Sequence, residues 1–131
     1  MNYYLAGRFT GQSRLRAMRD QMAQAFLGWT CTASWLDSKE SNYPVTKSQA
    51  EAYADRDFKE IDSCEMLILD TLDDSNTGGR EVELGYAMAK GVYCIIVGPR
   101  RNVFHYVPRE HYENWDAFFA VWGSVWTGPL P

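Results

Sequence analysis

Met66-Leu67-Ile68-Leu69-Asp70 is a near-continuous apolar run closed by one carboxylate, the pattern of a strand buried on both faces of a parallel sheet. Val92-Tyr93-Cys94-Ile95-Ile96-Val97 repeats the pattern and is stopped by Gly98-Pro99. Between them, Thr77-Gly78-Gly79-Arg80-Glu81-Val82-Glu83-Leu84-Gly85-Tyr86-Ala87-Met88-Ala89-Lys90-Gly91 reads as a glycine-opened loop running into a helix that Gly91 closes. Two doubly buried strands joined by a helix form a parallel crossover unit, and the remainder of the chain has to extend the same sheet.

On the N-terminal side, Tyr3-Tyr4-Leu5-Ala6 is a short apolar strand stopped by Gly7, and Arg8-Phe9-Thr10-Gly11 is a turn-prone loop. Leu15, Met18, Met22, Ala25 and Phe26 then recur at helical spacing, with Gly28 as the stop. Trp29 to Ser34 is rich in aromatic and β-branched residues and is expected to be the second strand. Trp35 to Val45 has no apolar period, so it reads as a mobile surface loop carrying Trp35 and Tyr43, a candidate lid. Ser48 followed by Glu51 is a capping-box signature for a helix reaching about Ser63.

On the C-terminal side, Arg100 to Pro108 is expected to be a loop with a short edge strand at Asn102 to Tyr106. Asn114 or its neighbours open a last helix bearing Trp115, Phe118, Phe119, Val121 and Trp122. The alternation predicts an α/β fold, a doubly wound, flavodoxin- or Rossmann-like parallel sheet of four to five strands flanked by helices, in a single domain over residues 1–131. Ligands of such sheets bind beyond the carboxyl ends of the strands. Here that rim comprises Gly7-Arg8-Phe9, the loop from Ser34 to Val45, Asp70 to Gly79 and the chain from Gly98 onward, and Glu83 belongs to it.

Composition narrows the function. With 131 residues, 46% of them hydrophobic, the chain suffices for one core. A net charge of −4 argues against binding a nucleic-acid polymer, since phosphate backbones demand a basic excess. Cys31, Cys64 and Cys94 lack CxxC spacing and read as free thiols of a reducing compartment, so a cytoplasmic location is expected. No apolar run approaches a membrane span. The glycines are followed by no Lys-Ser/Thr, and neither GxGxxG nor GxSxG occurs, which counts against nucleotide hydrolysis at a P-loop, dinucleotide redox chemistry and a serine hydrolase. His105 and His111 are the only histidines, so no metal and no cofactor is expected.

Carboxylates remain. Asp55, Asp57 and Asp62 lie on the second helix, Asp70, Asp73 and Asp74 after the third strand, and Glu81 and Glu83 at the start of the third helix. A glutamate near a helix N-terminus is expected to stay ionised, because the free N–H groups and the dipole stabilise negative charge. Carboxylates converging from two elements suit cleavage of a glycosidic bond, one attacking the anomeric carbon and one handling the leaving group's proton. The same turn, Thr77-Gly78-Gly79, together with Gly7, suits an anionic or polar ligand. Solvated or capping roles for these carboxylates stand as the alternative.

Three segments carry a resemblance: Tyr3 to Phe9; Asp55-Arg56-Asp57-Phe58-Lys59-Glu60-Ile61-Asp62 with the strand that follows it; and Val82-Glu83-Leu84-Gly85-Tyr86-Ala87 with Gly91. Together they resemble the nucleoside 2-deoxyribosyltransferase family and its hydrolytic relatives, the 2'-deoxynucleoside 5'-monophosphate N-glycosidases. The resemblance implies cleavage of the N-glycosidic bond of 2'-deoxynucleosides or their 5'-monophosphates, with the deoxyribose passed to another base or to water. It implies Glu83 as the nucleophile, Asp57 as the residue that contacts the sugar and assists the departing base, and Tyr3 as the orienting tyrosine, or Tyr4 if the register slips by one. Gly7, Arg8 and Phe9 would line the substrate site, and Thr77, Gly78, Gly79 and Arg80 resemble a 5'-phosphate holder. Glu81 stands where a glycine would be expected and should face away from the pocket, because residues two apart on a helix point about 200° apart. The resemblance also implies a homo-oligomer, a dimer or larger, to whose neighbouring site Asn102, Phe104 and His105 could contribute, with the aromatic last helix as a candidate interface. A nucleotide hydrolase without transfer and a non-catalytic nucleotide-binding module are the alternatives.

Overall fold

A computed structural model describes residues 1–39, 46–74 and 77–125 of the chain. Its elements are β1 (Asn2–Ala6), α1 (Gln12–Ala25), β2 (Thr30–Cys31), α2 (Lys47–Asp62), β3 (Met66–Asp70), α3 (Gly79–Ala89), β4 (Tyr93–Val97), β5 (Glu110–Tyr112) and α4 (Trp115–Val125). Short 3-10 turns lie at Phe9–Gly11, Ser34–Asp37 and Val103–Tyr106. The strands form one parallel sheet in the order β2-β1-β3-β4-β5, the doubly wound α/β architecture. Strand order reverses between β1 and β3, and sheets of this architecture form their crevice at the carboxyl ends of such a pair.

The two central strands behave as their apolar runs require. All five residues of β3 are buried, as are Cys94 to Val97 of β4. Side chains alternate along β1, and the alternation assigns its tyrosines to opposite faces. Tyr3 packs toward Trp29, with ring centroids 6.1 Å apart, on the face covered by α1 and α4, where Phe26 meets Phe118 and Trp29 meets Trp122. Tyr4 points to the α2/α3 face. The last helix buries Trp115, Phe118 and Trp122 within this same core, so its aromatic side closes the chain's own interior. Cys31, Cys64 and Cys94 are free, and burial pushes the Cys64 and Cys94 thiols up to about 12.

Several local expectations need correction. The edge strand is Glu110–Tyr112 and not Asn102 to Tyr106: the Asn102 side chain accepts the Phe104 N–H at 2.9 Å and turns the backbone into a 3-10 conformation. Thr46, not Ser48, caps α2, its Oγ1 accepting the Gln49 N–H at 3.1 Å. Trp35 is no surface aromatic; it is buried and donates its indole N–H to Leu5 O at 2.8 Å. Residues 34–38 are strapped to α1, with Gln12 donating to Trp35 O and Ser38 O, Arg16 to Leu36 O, and Arg19 paired with Asp37. That part of the expected lid is fastened, whereas Tyr43 and the rest of it to Val45 lie outside the described residues. No helix among the described residues is long and apolar enough to cross a membrane.

Asp70 closes β3 at the crevice. Its carboxylate, 1% exposed, accepts from Arg14 Nη2 and Nε, from the Trp115 indole at 2.8 Å and from the Leu72 N–H at 2.9 Å. α1, α4 and the loop entering α3 are therefore tied to one side chain. Removing it leaves a buried indole N–H without its acceptor and a half-buried guanidinium with Asp73, 3.0 Å from Nη2, as its remaining carboxylate. Asp70→Ala is expected to destabilise the fold by about 3–5 kcal/mol, which urea denaturation followed by tryptophan fluorescence measures.

Candidate active site

α3 begins at Gly79, with Gly78 at φ +83° as its cap. A residue with a side chain is disfavoured in that left-handed conformation, so glycine here sets where the helix starts. Glu81 falls in the first turn and Glu83 in the second, beyond the reach of the free N–H groups at the helix start. The α3 face that carries Glu83 and Tyr86 looks toward α2: Tyr86 stacks on Phe58 with centroids 4.4 Å apart and donates its hydroxyl to Asp62 at 2.7 Å.

On that face the Tyr4 hydroxyl donates to Glu83 Oε2, joining residues 79 positions apart in the chain. The first-strand tyrosine at Glu83 is therefore Tyr4, and Tyr3 points to the other side of the sheet. Burial, followed by the charges of Glu83 and Asp57, drives the Tyr4 phenol far above its ordinary pKa, so it stays protonated and remains a donor. Asp57, on α2, takes two bonds on Oδ1 from its neighbour Arg56, at 3.1 and 3.0 Å. Both charges are near enough to bear on Glu83.

Burial pushes the Glu83 carboxyl from 4.5 up to about 8, and Asp57 adds to the rise; the Tyr4 hydrogen bond and the Arg56 cation pull it down without winning. The expectation of a carboxylate held ionised by its helix start is thus reversed. Glu83 sits one turn too deep for the dipole, and desolvation dominates.

The other sequence candidates separate into rim and support. Thr77, Gly78 and Gly79 lie at the mouth where α3 starts, Thr77 and Gly79 exposed and Gly78 half-buried. Arg80 turns inward: it is 3% exposed, and its Nη1 donates to Asp73 O at 2.6 Å and Asp70 O at 3.4 Å. As arranged, it holds the β3–α3 loop. Arg8 likewise donates to Asp74 O at 2.7 Å. Phe9 is half-buried, its ring 6.3 Å from that of Trp35. Gly7 permits close packing of α1, since a Cβ there would lie 2.7 Å from Leu15 Cδ1. Glu81 faces away from Glu83 as expected, but it is half-buried and paired: its oxygens lie 3.0 and 2.9 Å from His105 Nε2. His111 Nε2 bonds Gly98 O at 2.7 Å. Sequence reasoning missed Arg56 as an electrostatic member of the cluster and the Glu81–His105 contact; Tyr4 was in view only as the one-residue alternative to Tyr3.

No family model matches the chain, and no curated protein matches it by sequence. Solved structures do match. The 2-deoxyribosyltransferase of Bacillus psychrosaccharolyticus superposes with a TM-score of 0.70 at 17% identity, covering 88% of each chain. The CMP N-glycosidase of Clostridium botulinum gives 0.60 at 16% identity, over 92% of this chain and 97% of its own. A conserved protein from Enterococcus faecalis V583 gives 0.57 at 19% identity, over 81% and 70%. The chain shares their fold.

The raised Glu83 value carries a sign that stability measurements can read. Between 4.5 and about 8 the unfolded chain has released this proton and the folded chain still holds it, so stability falls as pH rises through that window and levels off above it. Glu83→Gln removes that slope. The gap between the melting temperatures of the variant and the parent should widen in the variant's favour from about pH 5 to about pH 8; parallel curves would mean that Glu83 titrates as an ordinary carboxyl.

Proposed function

We propose that the chain is an enzyme that cleaves the N-glycosidic bond of 2'-deoxynucleosides or their 5'-monophosphates, with Glu83 as nucleophile. The observation that carries this reading is the Tyr4 hydroxyl on Glu83, with Asp57 and Arg56 close by, at the sheet's switch point. The fold shared with a 2-deoxyribosyltransferase and a CMP N-glycosidase supports it.

In this reading the ionised Glu83 attacks C1' as the bond to the base breaks, through an oxocarbenium-like state. The departing base takes up a proton with help from Asp57. The resulting glycosyl ester is opened by water or by a second base, which returns the carboxylate and retains the configuration at C1'. Tyr4 serves the carboxylate by holding its oxygen and by lowering its pKa. A positive charge developing on the sugar favours the same ionised form. Thr77, Gly78, Gly79 and Phe9 are the rim residues offered to the substrate.

Incubation with deoxynucleosides and deoxynucleotides, with and without a free acceptor base, tests the reading by chromatography. New nucleoside identifies a transferase, free sugar or sugar phosphate a hydrolase, and saturable binding without turnover a nucleotide-binding module. Glu83→Gln should fold and lose turnover; retained turnover removes Glu83 as nucleophile. The ligand-free carboxyl near 8 predicts that kcat/KM rises with pH up to about 8. Tyr4→Phe should shift that limb to higher pH and lower kcat/KM by about tenfold or more, whereas an unmoved limb assigns it to another group.

Self-association belongs to the same proposal. Val103, Phe104, Tyr106 and Val107 expose between 60% and 73% of their surface on one short turn, a concentration of apolar area that soluble monomers seldom present. Phe104→Lys should lower the sedimenting mass of an oligomer built on this face; an unchanged mass moves the interface elsewhere.

A further inference from the structure

His105 is fully buried although Phe104 and Tyr106 on either side are 60% and 66% exposed. Its ring is held through both nitrogens. Nδ1 accepts the Arg101 N–H at 2.9 Å, which makes Nε2 the protonated nitrogen of the neutral ring, and Nε2–H donates to the Glu81 carboxylate at 2.9 and 3.0 Å. Arg101 continues the circuit: its Nε donates to Thr71 O at 2.9 Å and its Nη2 to Leu72 O at 3.3 Å. Arg80 closes it from α3 to the same loop through Asp73 O, with its Nε 3.5 Å from Glu81 Oε1. The first turn of α3, the turn after β4 and the loop after β3 are thereby fastened to one another around one buried imidazole.

Glu83 lies two residues past Glu81, about 3 Å further along the helix axis and on the opposite side. A rotation of α3 that frees Glu81 from His105 therefore swings Glu83 relative to Tyr4, which is anchored in the sheet. We propose that Glu81 and His105 are positioning residues for the nucleophile: their hydrogen bond sets the rotation of α3 that presents Glu83 to Tyr4. This rests on reading Glu83 as the nucleophile. Neither residue touches Glu83, and the effect is geometric, because the groups facing Glu83 are Tyr4 from β1 and Arg56, Asp57 and Glu60 from α2.

The test compares Glu81→Ala, Glu81→Asp and Glu81→Gln in the full chain, with Tyr93→Phe as a control that deletes a hydrogen bond to Glu110 at the far end of β4. Melting temperature, kcat, KM and the 13C carboxyl titration of Glu83, assigned by its loss in Glu83→Gln, are followed for each. Glu81→Ala and Glu81→Asp should lower kcat by about 10- to 100-fold with KM nearly unchanged. Their Glu83 titration should move to higher pH, because the Tyr4 bond that lowers it is weakened. Glu81→Gln, whose amide oxygen still accepts from Nε2–H, should keep kcat within about threefold of the parent. Glu81 variants that melt earlier, as Tyr93→Phe should, while keeping both kcat and the Glu83 titration overturn the proposal and leave the pair a fastening only. If Glu83→Gln itself keeps turnover, the nucleophile reading fails, and the titration still decides whether the pair positions this carboxyl.

Discussion

The buried Asp70 carboxylate is the constraint on which the crevice depends. A charge at 1% exposure is tolerable only with partners, and its partners come from α1, α4 and the loop that leads into α3. Satisfying one side chain at the end of the central strand therefore fixes how three elements meet at the sheet's carboxyl edge. Arginines complete the arrangement. Arg8, Arg80 and Arg101 all donate to carbonyls of the segment from Asp70 to Asp74, so that loop is gripped from three sides before any ligand arrives.

That grip bears on the chemistry because α3 starts where the loop ends. Glu83 sits in an environment where two opposing effects can be ranked: desolvation raises its pKa, and the Tyr4 hydrogen bond with the Arg56 cation lowers it. Burial wins and the carboxyl titrates near 8. A carboxyl so placed is poised to change between its neutral and ionised forms near neutral pH. The helix dipole, expected from the sequence, contributes little at the second turn.

The legible parts were those governed by local pattern. β3 coincides with its apolar run, β4 and α1 fall within a few residues of theirs, and glycine at the start of α3 marks the helix because its φ is positive. Glu83 and Asp57 were recognisable as a pair from two elements, and the structure brings their charges to bear on each other. Tyr3 is the better-placed match by resemblance, but a one-residue register decides the face of a strand, and nothing in Tyr3-Tyr4 itself breaks that tie. Trp35 looked like a loop aromatic because its acceptor, Leu5 O, is 30 positions away. The burial of His105 was likewise hidden, since its carboxylate lies 24 positions earlier.

By itself, then, the sequence determined a parallel α/β sheet, its order of elements and the glutamate at its rim, because hydrophobic period and glycine placement act over a few residues. Tertiary structure alone decided which tyrosine meets Glu83, that Arg80 turns inward and that Glu81 is bound by His105. It also decided that Glu83 rests near neutrality in charge, because desolvation and side-chain pairing depend on residues brought together from across the chain.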